Sequence, residues 1–327
     1  MVQWVTQHET FLGLAFVPIE LDESGENRAM KKILFLHPGK ANLPEISIYK
    51  RFFPQYMFVN CQDLQEYSLE DFDLLWRFMG MDLHGSFNIP IVHEYASLSV
   101  GHGARWKDWL KKHLNIRPSL RIFLNSAVHA KFGFRDGVPH CYRDMGVDAQ
   151  FFCTEAIEKK YDFVYVGNMG AERKFSKVLD FFSRSGKSLL LIGTPPNTLY
   201  QIYKKFKNLI FAGAIPYRDV PSLARQAEYA VNYIPDQYPY NLQTSTKLLE
   251  YVAMGLKIVT TDYSWVRMFE KNRKMHFYKF SEDFHDMNLR QLENFPFCNT
   301  SIEDLRWENI MEASGIGRVL DDLLGDG

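Results

Sequence analysis

The chain has 327 residues, enough for two domains of ordinary size or one large one, and its 46% hydrophobic and 15% aromatic content is too rich in core formers for a disordered chain. With 38 Lys and Arg against 39 Asp and Glu the formal net charge is -1, without the basic excess of a dedicated nucleic-acid binder. The four cysteines, Cys61, Cys141, Cys153 and Cys298, form no Cys-x-x-Cys pair and no Cys/His grouping, the pattern of reduced thiols in a cytoplasmic protein.

From the N-terminus, Phe11–Ile19 is apolar, but the first basic residue is Arg28, so the positive region of a signal peptide is missing and none is expected. No run approaches the length of a membrane span. Met30-Lys31-Lys32 followed by Ile33–His37 reads as the start of an α/β protein, with residues 1–29 as an extension or upstream sequence. Short apolar runs then alternate with helical segments, which predicts parallel sheets with crossover helices. Strands are expected at Ile33–Leu36, Met57–Asn60, Leu74–Phe78, Ile89–His93 and Leu120–Asn125. The pattern restarts with Phe163–Gly167, Leu189–Gly193, Leu209–Ala212, Tyr229–Tyr233 and Lys257–Thr260, so two α/β sheets in tandem are implied, with a boundary near residue 155. Gly101-His102-Gly103 lacks the third glycine of a dinucleotide fingerprint. The helix after it sets Trp106, Trp109, Leu110 and His113 on one face among cations, which suits either a core face or an interfacial helix meeting anionic lipid.

The most informative stretch is Thr244-Ser245-Thr246-Lys247-Leu248-Leu249-Glu250-Tyr251-Val252-Ala253-Met254-Gly255, running into Leu256–Asp262. Three hydroxyl residues offer N-caps, Gly255 offers a left-handed stop, and a β-branched strand follows. An anion at the first turn would meet backbone N–H groups and the Lys247 ammonium together, with Glu250 one turn on. The plainer reading is an i,i+3 ion pair on a solvated face. Upstream, Phe163–Gly167 leads into Asn168-Met169-Gly170-Ala171-Glu172-Arg173-Lys174, a loop whose glycines admit a phosphate and whose cations neutralise it, or else a surface charge cluster. Loops at Gly193-Thr194-Pro195-Pro196 and Gly213-Ala214-Ile215-Pro216-Tyr217 follow strands at the carboxyl edge, where α/β sheets bind ligands.

The run Lys247-x-x-Glu250-Tyr251-x-Ala253-x-Gly255-x-x-Ile258-Val259-x-Thr261 resembles the nucleotide-sugar signature of GT-B glycosyltransferases, especially group 1, or family 4. Met145-Gly146-Val147-Asp148 to Phe151-Phe152 is similar to that family's element between its two halves, and Trp307 stands where its last helix carries an aromatic. The resemblance implies two Rossmann-like domains facing each other across a cleft, an acceptor-side unit at 1–154 and a donor-binding unit at 155–327, with the last helix crossing back. It implies a donor pocket at Gly167, Asn168, Arg173, Lys174, Gly193, Ala214, Ile215, Thr246, Lys247 and Glu250, Lys247 holding the diphosphate and Glu250 the ribose. Asn168 departs from the usual Arg, and Leu242 stands where many retaining members carry a first Glu, so stereochemistry stays open and Asp236 is the candidate substitute.

In the first half the resemblance points to His93, with Glu94 beside it, as catalytic candidates just past a buried strand, and to His37-Pro38-Gly39-Lys40 as a cleft lip. Asp71-Phe72-Asp73 has the metal-binding form of the other large glycosyltransferase fold but directly precedes a strand, so no metal site is expected. The implied activity is metal-independent transfer from a nucleotide sugar, UDP- or GDP-linked, to a glycan or lipid-linked acceptor in polysaccharide biosynthesis. No cofactor is expected, and the location is cytoplasmic, reaching the inner membrane face through the Trp106/Trp109 helix. The rival readings are a sugar-nucleotide epimerase of the same fold and a non-catalytic subunit.

Overall fold

The computed structural model describes residues 30–37, 39, 43–83, 88–153, 155–170 and 174–325. Two parallel six-stranded sheets follow one another in the chain. The first contains β1 (Lys32–Leu36), β2 (Met57–Cys61), β3 (Leu74–Phe78), β4 (Ile91–Tyr95), β5 (Leu120–Phe123) and β6 (His140–Tyr142), in the order β2-β1-β3-β4-β5-β6. Its helices are α1 (Pro44–Phe52), α2 (Ala104–Leu114) and α3 (Ser126–Phe132). The second contains β7 (Tyr161–Val166), β8 (Leu189–Ile192), β9 (Leu209–Gly213), β10 (Ala227–Asn232), β11 (Lys257–Thr261) and β12 (Tyr278–Phe280), in the order β12-β11-β10-β7-β8-β9. Around it lie α4 (Ser176–Ser185), α5 (Asn197–Tyr203), α6 (Val220–Ala224), α7 (Thr246–Ala253), α8 (Ser264–Arg273) and α9 (Leu289–Glu293).

Central strands such as β3 and β8 are buried along their whole length, because crossover helices cover both faces of a parallel sheet. The sequence misses the edge strands β6 and β12, each three residues long; His140 and Tyr142 of β6 are exposed and give no apolar signal. It also misplaces β4. The strand runs to Tyr95, paired His93 to Arg77 and Glu94 to Phe78, so both residues lie within the sheet rather than beyond it.

The chain closes with α10 (Trp307–Ser314) and α11 (Ile316–Leu324), which return to the first sheet. Trp307, Met311, Ile316, Leu320 and Leu324 share a core with Ile33, Tyr49, Phe53 and Trp76. A Cβ at Gly146 would stand 2.5 Å from the Trp307 ring, so the connecting segment passes this aromatic only as glycine. Thr244 donates to Asp144 at 2.6 Å and accepts from Asn125 at 3.4 Å, tying the segment before α7 to the first half.

Candidate functional site

In the second sheet the strand order reverses between β7 and β10, and ligands of such sheets bind beyond the carboxyl ends of the strands at that point. A cleft of about 610 Å³ opens there. One wall is Val166 at the end of β7 with Gly167 and Asn168 after it, Ile234 after β10, Gln243–Ser245 before α7, and Thr246, Lys247 and Glu250 within it; across from it are Pro44, Glu45 and Ser47 of α1. The volume lies within the range of small-molecule sites.

Among the described residues no side chain caps α7. The hydroxyls expected as caps point elsewhere: Ser245 donates to Asn232 Oδ1 at 2.9 Å, and Thr244 serves Asp144. The first turn lies at the cleft, with Ser245, Thr246 and Lys247 in the lining and its N–H groups without a side-chain cap. Lys247 Nζ donates to the Tyr165 hydroxyl at 3.0 Å and stands 4.3 Å from that ring's centroid, an attraction between ammonium and ring face that orients the cation. The helix is anchored to β7 by the Val166 N–H, which donates to the Tyr251 hydroxyl at 2.8 Å.

Gly167 has φ +127°, and a Cβ there would stand 3.8 Å from Lys247 Nζ, in the space before the ammonium. Asn168 shapes this loop through its own side chain, Oδ1 accepting from the Gly170 N–H at 2.7 Å. Gly193 packs behind the loop rather than in the lining: with φ +133°, its Cβ would meet the Gly167 carbonyl oxygen at 2.4 Å. Glu250 is buried and accepts from the Tyr217 hydroxyl at 2.7 Å. Burial raises its carboxyl pKa to about 7; the Tyr217 bond and the Lys247 charge oppose that rise, while Asp148 adds to it.

The first-half candidates go to the interior. His93 is fully buried, its Nε2 3.0 Å from Asp82, which also pairs with Arg77 at 2.7 Å. Burial lowers the His93 pKa against the pull of Asp82. Glu94 is buried against Arg143 and accepts from Trp76 at 2.9 Å and Tyr49 at 3.1 Å. Neither lines the cleft, which corrects their expected position; the reason is the longer β4. Asp236 also lies outside the lining, its Oδ1 accepting from Asn241 at 2.9 Å in an exposed loop. Ala214, Ile215 and Lys174 are not in the lining either; Ile215 packs on the core and Lys174 is exposed, with φ +51°. Arg173, Pro38 and Lys40 lie outside the described residues, and Gly39 packs on Gln62.

Sequence reasoning missed Tyr217, Tyr165 and Glu45. Tyr217 is the last residue of the loop singled out after β9, and Tyr165 the penultimate residue of β7, so each lay within a recognised motif. Glu45 carried no signal.

No family model matches the chain, and no curated protein does. Solved structures do. Anabaena HepE in complex with UDP and glucose superposes with a TM-score of 0.64 at 14% identity, covering 89% of this chain and 100% of that one. The fold is GT-B. Two further GT-B matches agree. AviGT4, a glycosyltransferase involved in avilamycin A biosynthesis, gives 0.53 at 12% identity over 90% of this chain and 99% of its own. T4 phage BGT in complex with its UDP-glucose substrate gives 0.53 at 14%, over 90% and 100%. At these identities the likeness establishes the GT-B fold and leaves activity to the site itself.

Proposed function

We propose that the protein is a glycosyltransferase that moves a sugar from a nucleotide-sugar donor, a UDP- or GDP-sugar, to a glycan or lipid-linked acceptor in polysaccharide biosynthesis. The observation that carries this reading is the convergence of the uncapped first turn of α7, Lys247 and the buried Glu250 on one cleft. A diphosphate takes the N–H groups and the ammonium, and a ribose hydroxyl donates to the carboxylate. That Anabaena HepE is found with UDP and glucose on the same fold supports the choice of donor.

In this reading residues 155–327 hold the donor and residues 1–154 the acceptor, and closure of the cleft keeps water from the donor. Lys247 stabilises charge growing on the departing diphosphate, so transfer proceeds without a metal. The reaction takes place in the cytoplasm at the inner face of a membrane, since α2 presents Trp106 and Trp109 to solvent among cations.

Calorimetric titration with UDP-, GDP-, dTDP-, ADP- and CMP-sugars tests the donor site, since a ligand of the native state also raises its thermal midpoint. Binding of one of them, followed by transfer that persists in chelator, is the expected result; no response to any overturns the reading. A second reading, a donor-binding subunit without transfer, is favoured by the withdrawal of His93, Glu94 and Asp236 from the cleft lining. Donor binding with no product on any acceptor would establish it, and conversion of donor alone would indicate an epimerase.

A further inference from the structure

Half of the large hydrophobic side chains exposed among the described residues gather around α2. They are Met81, Leu83, Val100, Trp106, Trp109 and Leu114, between 41% and 65% exposed. Trp106 and Trp109 stack with ring centroids 4.6 Å apart at 11°, and His113 continues the row 4.6 Å from Trp109. Hydrogen bonds join the neighbouring segments to the two ends of the helix. Lys107 Nζ donates to the Val100 carbonyl at 3.5 Å, and the Asp82 N–H, between Met81 and Leu83, donates to the Asn115 side chain at 2.8 Å.

Charge on this surface is one-sided. Residues 99–118 include Arg105, Lys107, Lys111, Lys112 and Arg117, and the single acid, Asp108, is buried and accepts from the Ser99 N–H at 2.9 Å and the Tyr238 hydroxyl at 2.6 Å. On the solvent side of α2 the stacked tryptophans stand with Arg105 and Lys107 and no carboxylate between them, while Lys111 and Lys112 are half-buried and Lys112 Nζ donates to the Gly133 carbonyl at 2.6 Å.

We propose that this surface docks the protein on an anionic lipid bilayer. Protein interfaces are depleted in lysine, whereas interfacial helices combine Trp with Lys and Arg, the rings entering the headgroup boundary and the cations meeting anionic lipid. The same helix reaches the cleft: Tyr238, held by Asp108, begins the segment whose Tyr240, Gln243 and Thr244 line it. Docking through the outer face of α2 thus holds the mouth of the cleft beside the bilayer. The proposal deepens the membrane location of the function proposed here, and the docking itself is measured without donor or acceptor.

The test is co-sedimentation of the full chain with phosphatidylcholine vesicles and with vesicles containing phosphatidylglycerol. Binding to the anionic vesicles only, weakening with salt, is expected. Trp106→Ala with Trp109→Ala abolishes it, and Arg105→Gln or Lys107→Gln weakens it about fivefold for each cation removed. Both tryptophans are exposed, so circular dichroism of the double variant should match the wild type; the Gln variants keep the test alive if it does not. Absence of wild-type binding, or unchanged binding by the double variant, overturns the proposal. So does light scattering that shows a dimer which the double variant dissolves, since a second copy then covers the surface. Calorimetry with UDP-glucose on the same proteins reads the donor site separately, and vesicle binding without donor binding leaves docking standing while the transferase reading fails.

Discussion

Tyr217 donates its hydroxyl to Glu250 Oε1 at 2.7 Å, across 33 residues of chain, and the two together form the carboxylate end of the cleft. The bond supports a buried carboxyl group whose pKa stands near 7 against an ordinary 4.5. Between those values the folded chain holds a proton that the unfolded chain has released, so this group makes stability fall as pH rises through the window and level off above it. A shift of that size corresponds to about 3 kcal/mol. Glu250→Gln removes the titration, and its stability relative to wild type should grow by about 3 kcal/mol between pH 4 and pH 8. Urea unfolding of both proteins across that range checks it; a constant offset would contradict the burial argument.

Lys247→Ala should weaken binding of UDP, measured by calorimetry, about 10- to 100-fold, since a charge-assisted contact to phosphate contributes about 1.5–3 kcal/mol. The fold should lose only about 1 kcal/mol, the attraction to the Tyr165 ring. Undiminished UDP affinity would remove Lys247 from the site.

Gly193→Ala places a methyl group 2.4 Å from the Gly167 carbonyl at a φ of +133°. The backbone there has to move, at a cost of about 2 kcal/mol or more. Because the displaced atom belongs to the loop before Lys247, donor affinity should fall together with the thermal midpoint. Loss of stability with intact affinity would show that the loop adjusts without disturbing the cleft.

Arg143 is buried between Glu94 and Glu45; burial opposes its charge, and the carboxylates outweigh burial and hold its pKa well above the ordinary value. Arg143→Met leaves both carboxylates without their cation and should cost about 3–5 kcal/mol in denaturant unfolding. A near-neutral result would show that these carboxyl groups take up protons at little cost.

Ten of the twelve strands among the described residues were legible in the sequence, most to within two residues, because an apolar run bounded by turn residues is a local signal. β6 and β12 were not, since an edge strand of three residues buries too little for a pattern to form. The site divides in the same manner. Gly167, Asn168, Thr246, Lys247 and Glu250 line the cleft where the motifs around β7 and α7 place them. The hydroxyls before α7 look like caps in sequence, but Asp144 and Asn232, remote in the chain, take them.

Periodicity, punctuation and i,i+3 spacing act over a few residues, and they suffice to imply two tandem α/β units and a helix that carries Lys247 and Glu250 one turn apart. Which polar side chains meet follows from the assembled fold. His93 and Glu94 enter the interior because β4 runs two residues further than its apolar run suggests, and Asp82 and Arg143 wait there as partners. Tyr217, beyond β9, reaches Glu250 of α7, and Glu45 of α1 lines the same cleft from the first half of the chain. Trp106 and Trp109 face solvent because Asp108 and Ala104, between and before them, take the buried side of α2. Glu94, Tyr217 and Asp108 meet partners 49, 33 and 130 residues away in the chain, and no local pattern encodes those pairings.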